Sequence, residues 1–201
     1  DIVKGWTPDG KQVVFVCASG TGTELLTMPS SGGTASPSVV LTSTTNEKNF
    51  RTPVFSPDGT KIVFAYDSGS SSLLGSVKTD GSGFTKLAGG ATLSYASPSF
   101  FADGLSVLAI AGNSSTNYDQ LEKITVATGA AVNVTNDLGL EATAIVNRAV
   151  VSPDGSLATF DGRIASGASR VFVINLSSKA VSQVTDYPSD PASNDTFPMW
   201  V

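Results

Sequence analysis

Three observations predict an all-β chain built from four similar units. An Asp-Gly turn recurs four times, a β-branched or aromatic run follows each turn, and no segment carries a sustained helical period with caps. Trp6-Thr7-Pro8-Asp9-Gly10, Phe55-Ser56-Pro57-Asp58-Gly59, Phe100-Phe101-Ala102-Asp103-Gly104 and Val151-Ser152-Pro153-Asp154-Gly155 each place a bulky apolar residue three positions before the aspartate. The four aspartates lie 49, 45 and 51 residues apart, the length of one supersecondary unit.

Each unit opens on a strand that leads into the Asp-Gly turn, and a proline recurs two residues before its bulky position as Pro53 and Pro98, and again as Pro198 ahead of Trp200. The second strand carries Val13-Val14-Phe15, Ile62-Val63-Phe64, Val107-Leu108-Ala109 or Ala158-Thr159-Phe160. A third strand follows near 25–28, 73–77, 121–126 and 170–176, ending on the turn residues Ser31-Gly32, Asp80-Gly81, Thr128-Gly129 and Ser178-Lys179. The fourth closes on Leu41-Thr42, Leu87-Ala88, Val134-Thr135 and Val184-Thr185. Four short strands per unit, repeated at this spacing, describe the blade of a β-propeller. The blades are expected at 1–48, 49–94, 95–144 and 145–194, with 195–201 as the first strand of a further blade.

In each turn glycine takes the left-handed position (Gly10, Gly59, Gly104, Gly155), while the aspartate (Asp9, Asp58, Asp103, Asp154) bonds backbone N–H groups beyond it. These acids are therefore read as turn residues rather than catalytic groups. Trp6, Phe55, Phe100 and Val151 are expected to fill the space between blades, because a single blade leaves both sheet faces bare.

Pro53-Val54-Phe55-Ser56-Pro57-Asp58-Gly59-Thr60-Lys61-Ile62-Val63-Phe64 closely resembles the TolB-type propeller repeat, and Asp80-Gly81 and Leu41-Thr42 echo the second half of that pattern. The resemblance covers essentially the whole chain in four copies. The third copy departs from it with Phe101-Ala102 in place of Ser-Pro, and the fourth lacks the Pro-x-aromatic lead-in at Ala149-Val150-Val151. It implies a ring of six or more blades, of which four and a strand are present, so a fragment of a larger ring is expected, with self-association through open blade edges as the second solution. Such repeats occur in a periplasmic protein that works with an outer-membrane lipoprotein, in other exported bacterial proteins, and as substrate-gating domains of serine peptidases.

Composition removes several chemistries. With no histidine there is no Ser/His/Asp or Cys/His triad and no histidine-bearing zinc site, and neither a Gly-x-Ser-x-Gly elbow nor a complete dinucleotide loop is present. A net charge of −5 speaks against nucleic acid, and the apolar runs are too short for membrane insertion. Charged residues make up 14%, against roughly 25% in an average domain, and their places go to Ser, Thr and Gly, as on exported proteins. An extracytoplasmic location is expected, with no export signal in this sequence. Cys17 has no second cysteine to pair with and reads as a small buried hydrophobe.

No cofactor is expected: the acidic loop 186–195 offers oxygen ligands, but its spacing departs from a calcium loop, and the loop 136–141 is weaker still. Four tripeptides fit the glycan acceptor pattern, at Asn113, Asn133, Asn175 and Asn194, as chance provides in a chain this rich in Ser and Thr. The connections from the fourth strand of one blade to the first of the next approach the channel mouth and carry Asn49, Arg51, Tyr95, Asn147 and Arg148. These are the candidate anchors for a protein or peptide partner. The function expected is a non-catalytic interaction module. A gating or recognition propeller of a larger hydrolase or peptidase is the alternative, and a carboxylate- or calcium-dependent enzyme comes third.

Overall fold

The computed structural model describes residues 2–19, 22–32, 37–90, 93–113, 118–135, 148–162, 169–185 and 199–200. Its first sheet holds β1 (Ile2–Trp6), β2 (Gln12–Ser19), β3 (Gly22–Pro29) and β4 (Ser38–Thr42). The second holds β5 (Lys48–Phe55), β6 (Lys61–Ser68), β7 (Ser71–Lys78) and β8 (Thr85–Ala88). β9 (Ser94–Phe100), β10 (Ser106–Asn113), β11 (Tyr118–Thr125) and β12 (Ala131–Asn133) make the third. The fourth consists of β13 (Arg148–Val151), β14 (Leu157–Gly162), β15 (Arg170–Asn175) and β16 (Val181–Gln183). Every sheet is antiparallel in chain order, as propeller blades are.

The core lies between blades, because period-two alternation sends successive side chains of one strand to opposite faces. Val14, Leu25 and Val40 of the first blade pack against Phe55, Ile62 and Phe64 of the second. The opposite face of the second blade, with Val63, Ala65 and Leu74, meets Val107, Ala109 and Ile124 of the third. Leu108, Ile110 and Leu121 then meet Ala158, Phe160 and Phe172 of the fourth. Fully burying a side chain such as Phe64 or Phe160 contributes about 2–3 kcal/mol.

The phase of this pattern decides where the bulky pre-turn residues go. Phe55 and Val151 are buried in the junction with the preceding blade, and Phe100 is partly buried in its own. Trp6 departs from expectation at 59% exposed. It shares the face of its partner Val13, which belongs to a small cluster of first-blade residues with Phe15 and Leu26 rather than to a junction. Cys17 is half-buried beside that cluster.

Two turn contacts set the spacing between blades. Pro8 Cδ lies against the turn of the second blade, 3.6 Å from where a Cβ on Gly59 would stand, and Pro57 repeats this at 3.5 Å from Gly104. Farther out, the turns after the third strands of the second and third blades press on the preceding blade's last strand. A Cβ on Gly81 would sit 2.6 Å from Val40 O, and one on Gly129 only 2.2 Å from Leu87 O. Both glycines also have positive φ, so here a side chain meets a backbone clash and a strained conformation together. Gly129→Ala is expected to cost about 2–4 kcal/mol in urea denaturation, whereas Gly90→Ala, with open space around it, should change stability by less than about 0.5 kcal/mol.

Candidate functional site

The Asp-Gly turns use up the recurrent carboxylates. In the second blade Ser56 Oγ donates to Asp58 Oδ1 (2.6 Å) and accepts from Lys61 N–H (3.0 Å), while Asp58 Oδ1 accepts from Thr60 N–H (3.0 Å). Thr7 with Asp9 and Ser152 with Asp154 repeat this arrangement. In the third blade the hydroxyl is replaced by Phe101, and Asp103 keeps its bond from Leu105 N–H (2.8 Å). Gly10, Gly59, Gly104 and Gly155 all lie at φ between 67° and 73°. Hydrogen bonds from Ser56 and Thr60 hold Asp58 down at about 2, and those from Ser152 and Ser156 do the same for Asp154. A carboxylate so deeply ionised is a poor general acid or base near neutrality.

At the opposite ends of the innermost strands the candidate anchors separate. β5 is bulged twice, between Lys48 and Arg51 and again before Val54, and Asn49 (φ 54°) and Thr52 (φ 46°) adopt left-handed backbone there. The bulge turns Asn49 and Arg51 toward one acid of β6. Asn49 Nδ2 donates to Asp67 Oδ2 (2.9 Å), and Arg51 Nη2 donates to Asp67 Oδ1 (2.7 Å) and Ser72 Oγ (2.8 Å). Arg51 Nη1 donates to Asn49 O (2.9 Å). The Arg51 hydrogen bond is the main cause that lowers Asp67 to about 2. Thr52 precedes Pro53, and its hydroxyl is buried with no hydrogen-bond partner. β9 repeats the device, with a register shift and Ser97 at φ 50° before Pro98.

Tyr95 is not a surface anchor. It is 5% exposed and sits on the face of Ala109 and Ala111, whose short side chains let it reach across β10. Its hydroxyl donates to Glu122 Oε2 (2.5 Å), and Gln120 Nε2 donates to Glu122 Oε1 (2.8 Å). Asn133 Nδ2 bonds Gln120 Oε1 and continues this ladder to the outer strand. Burial first and Glu122 second push the Tyr95 hydroxyl up, so it stays protonated as a donor. Arg148 is half-buried at the start of β13, where its backbone N–H donates to Asp161 Oδ1 (2.9 Å) of the paired strand. Asn147 and both acidic loops lie outside the described residues. Among the described residues no three His, Cys, Asp or Glu side chains stand together as a metal site.

The described anchors therefore comprise one rim cluster, Asn49–Arg51–Asp67–Ser72, and two inward-facing acids, Glu122 and Asp161. Sequence reasoning missed all three acids. For Asp161 the signal was a lone carboxylate within a strand of apolar and small residues, Ala158-Thr159-Phe160-Asp161-Gly162, whereas Glu122 stands among other polar residues of β11 and gave no such signal.

Tyr95→Phe leaves buried Glu122 one donor short and should cost about 1–3 kcal/mol in urea denaturation. Asp58, Asp67 and Asp154 titrate lower in the folded than in the unfolded chain, so their stabilisation is complete above about pH 4 and is lost as pH falls through about 2. Melting temperature should drop across that window, and Asp67→Asn should melt about 2–4 °C lower at pH 7 with a shallower acid drop.

No family model and no curated protein matches this sequence. Solved structures do match. TolB from Acinetobacter baumannii aligns at TM-score 0.71 and 17% identity over 92% of this chain and 43% of its own. A putative TolB from Agrobacterium tumefaciens gives 0.75 and 18% over 96% and 63%, and a puromycin hydrolase gives 0.69 and 20% over 93% and 29%. The chain thus spans less than two thirds of the length of each of these structures. It has the fold of the TolB-like β-propellers.

Proposed function

We propose that this chain is a non-catalytic, extracytoplasmic interaction module whose blade rim binds a protein or peptide, with Arg51 as the anchor. The observation that carries the reading is the state of the Arg51 side chain, which is 40% exposed yet fixed by Asp67, Ser72 and Asn49 O. Three of the five guanidinium N–H groups are used, so the remaining two are presented with little entropy left to lose. Commitment of the turn acids to backbone bonds, the TolB-like fold and the weakly charged surface support the non-catalytic and extracytoplasmic parts.

In this reading the blades are part of a ring of six or more, as the resemblance to the TolB-type repeat implies. The Trp200 indole N–H donates to Val150 O (3.0 Å) on the first strand of the fourth blade, which supports reading the segment 195–201 as the start of a further blade, although 195–198 and 201 lie outside the described residues. Self-association through open edges is the competing solution, and solution mass separates the two.

Capture from an envelope extract tests the anchor. Arg51→Ala and Arg51→Lys should each lower recovery of a captured partner about tenfold, since lysine lacks the planar fork. Unchanged recovery with both variants would remove the assignment. The likeness to puromycin hydrolase, of which this chain covers 29%, favours a second reading as the recognition propeller of a larger hydrolase. An in-frame hydrolase domain in the same gene would decide for it.

A further inference from the structure

The junction between the third and fourth blades breaks both turn contacts that close the other two. Where Pro8 and Pro57 meet the next blade's turn glycine, the third blade has Ala102, and the Phe101 ring moves in to lie against Gly155. Where Gly81 and Gly129 press on the preceding strand's carbonyl, the fourth blade has Lys179, at φ 61°. Lys179 donates its N–H to the carbonyl four residues back, as Gly129 does, so it occupies the same turn position. Its Cβ has no room at the 2.2 Å approach that Gly129 makes, and among the described residues the outer part of this junction stands open.

The opening is a cavity of about 260 Å³ with a floor of Phe101, Val134 and Leu176 and polar groups from Ser156 and Asn175. Lys123 enters it from β11, its ammonium 4.3 Å from the centre of the Phe101 ring. The matching positions in the first two blades are the neutral Thr27 and Ser76, so the cation and the aromatic that supports it occur in the same blade. Among the described residues no carboxylate forms a salt bridge with Lys123. Asp154, the nearby turn acid, is occupied by Ser152 and Ser156.

We propose that this pocket binds the C-terminal residue of a peptide, its apolar side chain on the Phe101–Val134–Leu176 floor and its carboxylate on Lys123. The volume suits one large side chain, not a folded element. Val134 directly follows β12, the outermost strand of its sheet, whose outer edge pairs with no other strand among the described residues and can accept the main chain of an extended peptide; a small acid would have no use for it. The site lies at the Asp-Gly end of the blades, away from Arg51, and does not rest on the rim assignment.

The probes are the tetrapeptide Gly-Ser-Gly-Phe, the same peptide amidated, and N-acetylphenylalanine, titrated into the ¹⁵N-labelled chain and followed at the amides of Ser156, Leu176 and Ser177. The free-acid tetrapeptide should give saturable shifts and bind about five- to tenfold tighter than its amide. Lys123→Arg should keep that preference and Lys123→Gln should abolish it, both with unchanged melting temperature. Equal binding of acid and amide, shifts insensitive to Lys123→Gln, or absence of saturation would overturn the proposal. So would N-acetylphenylalanine saturating the site while the tetrapeptide does not, because the ligand would then be a small free acid.

Discussion

Everything in this fold depends on how closely one blade's turns can approach the blade before it. A four-stranded antiparallel sheet with apolar residues on both faces has no stability alone, so each blade must be covered twice. The covering distance is set by atoms that are missing: the absent Cβ of Gly81 and Gly129 lets a turn rest on the carbonyls of Val40 and Leu87. Side-chain packing between the sheets, from Val14 and Phe64 to Leu121 and Phe160, then follows at a separation the backbone has already fixed.

The same economy explains why so many acids do so little chemistry. Asp58 and Asp154 serve as hydrogen-bond acceptors for a hydroxyl and a backbone N–H, which fixes the corner at which β-strands reverse. Their ionised form is the one the turn needs, and the folded state keeps them ionised into strong acid. Asp67 works on the same principle at the other end of the blade, but its partner is a cation with donors to spare. That difference separates a turn from a candidate recognition group.

Much of this was legible in the residues. The Asp-Gly spacing located the blades because a left-handed turn position strongly prefers glycine, and period-two runs located the strands. Less legible was which neighbour a face would meet. Trp6 and Phe55 stand at equivalent positions, yet one is exposed and the other buried, since burial belongs to the junction and not to the motif. Tyr95 looked like a rim residue by its place in a connection. It turned inward because Ala109 and Ala111 leave a gap across β10 that only a long side chain can span, and pairing of distant residues is not written in local sequence. Asp67 escaped notice for the same reason: its partnership with Arg51 requires a bulge in β5 that brings residues 16 apart into contact.

Departures from a repeat carry more information than the repeat itself. Ala102, Phe101, Lys123 and Lys179 are each unremarkable singly, and each departs from its counterparts in the first two blades. All four converge on one junction. A chance loss of proline would leave a void, and a void lined by apolar atoms forfeits packing without compensation. Here the loss is answered by an aromatic ring that fills the inner half, while the outer half is left open beside a cation stacked on that ring. A junction under pressure only to pack would have closed with glycine, as its two neighbours do.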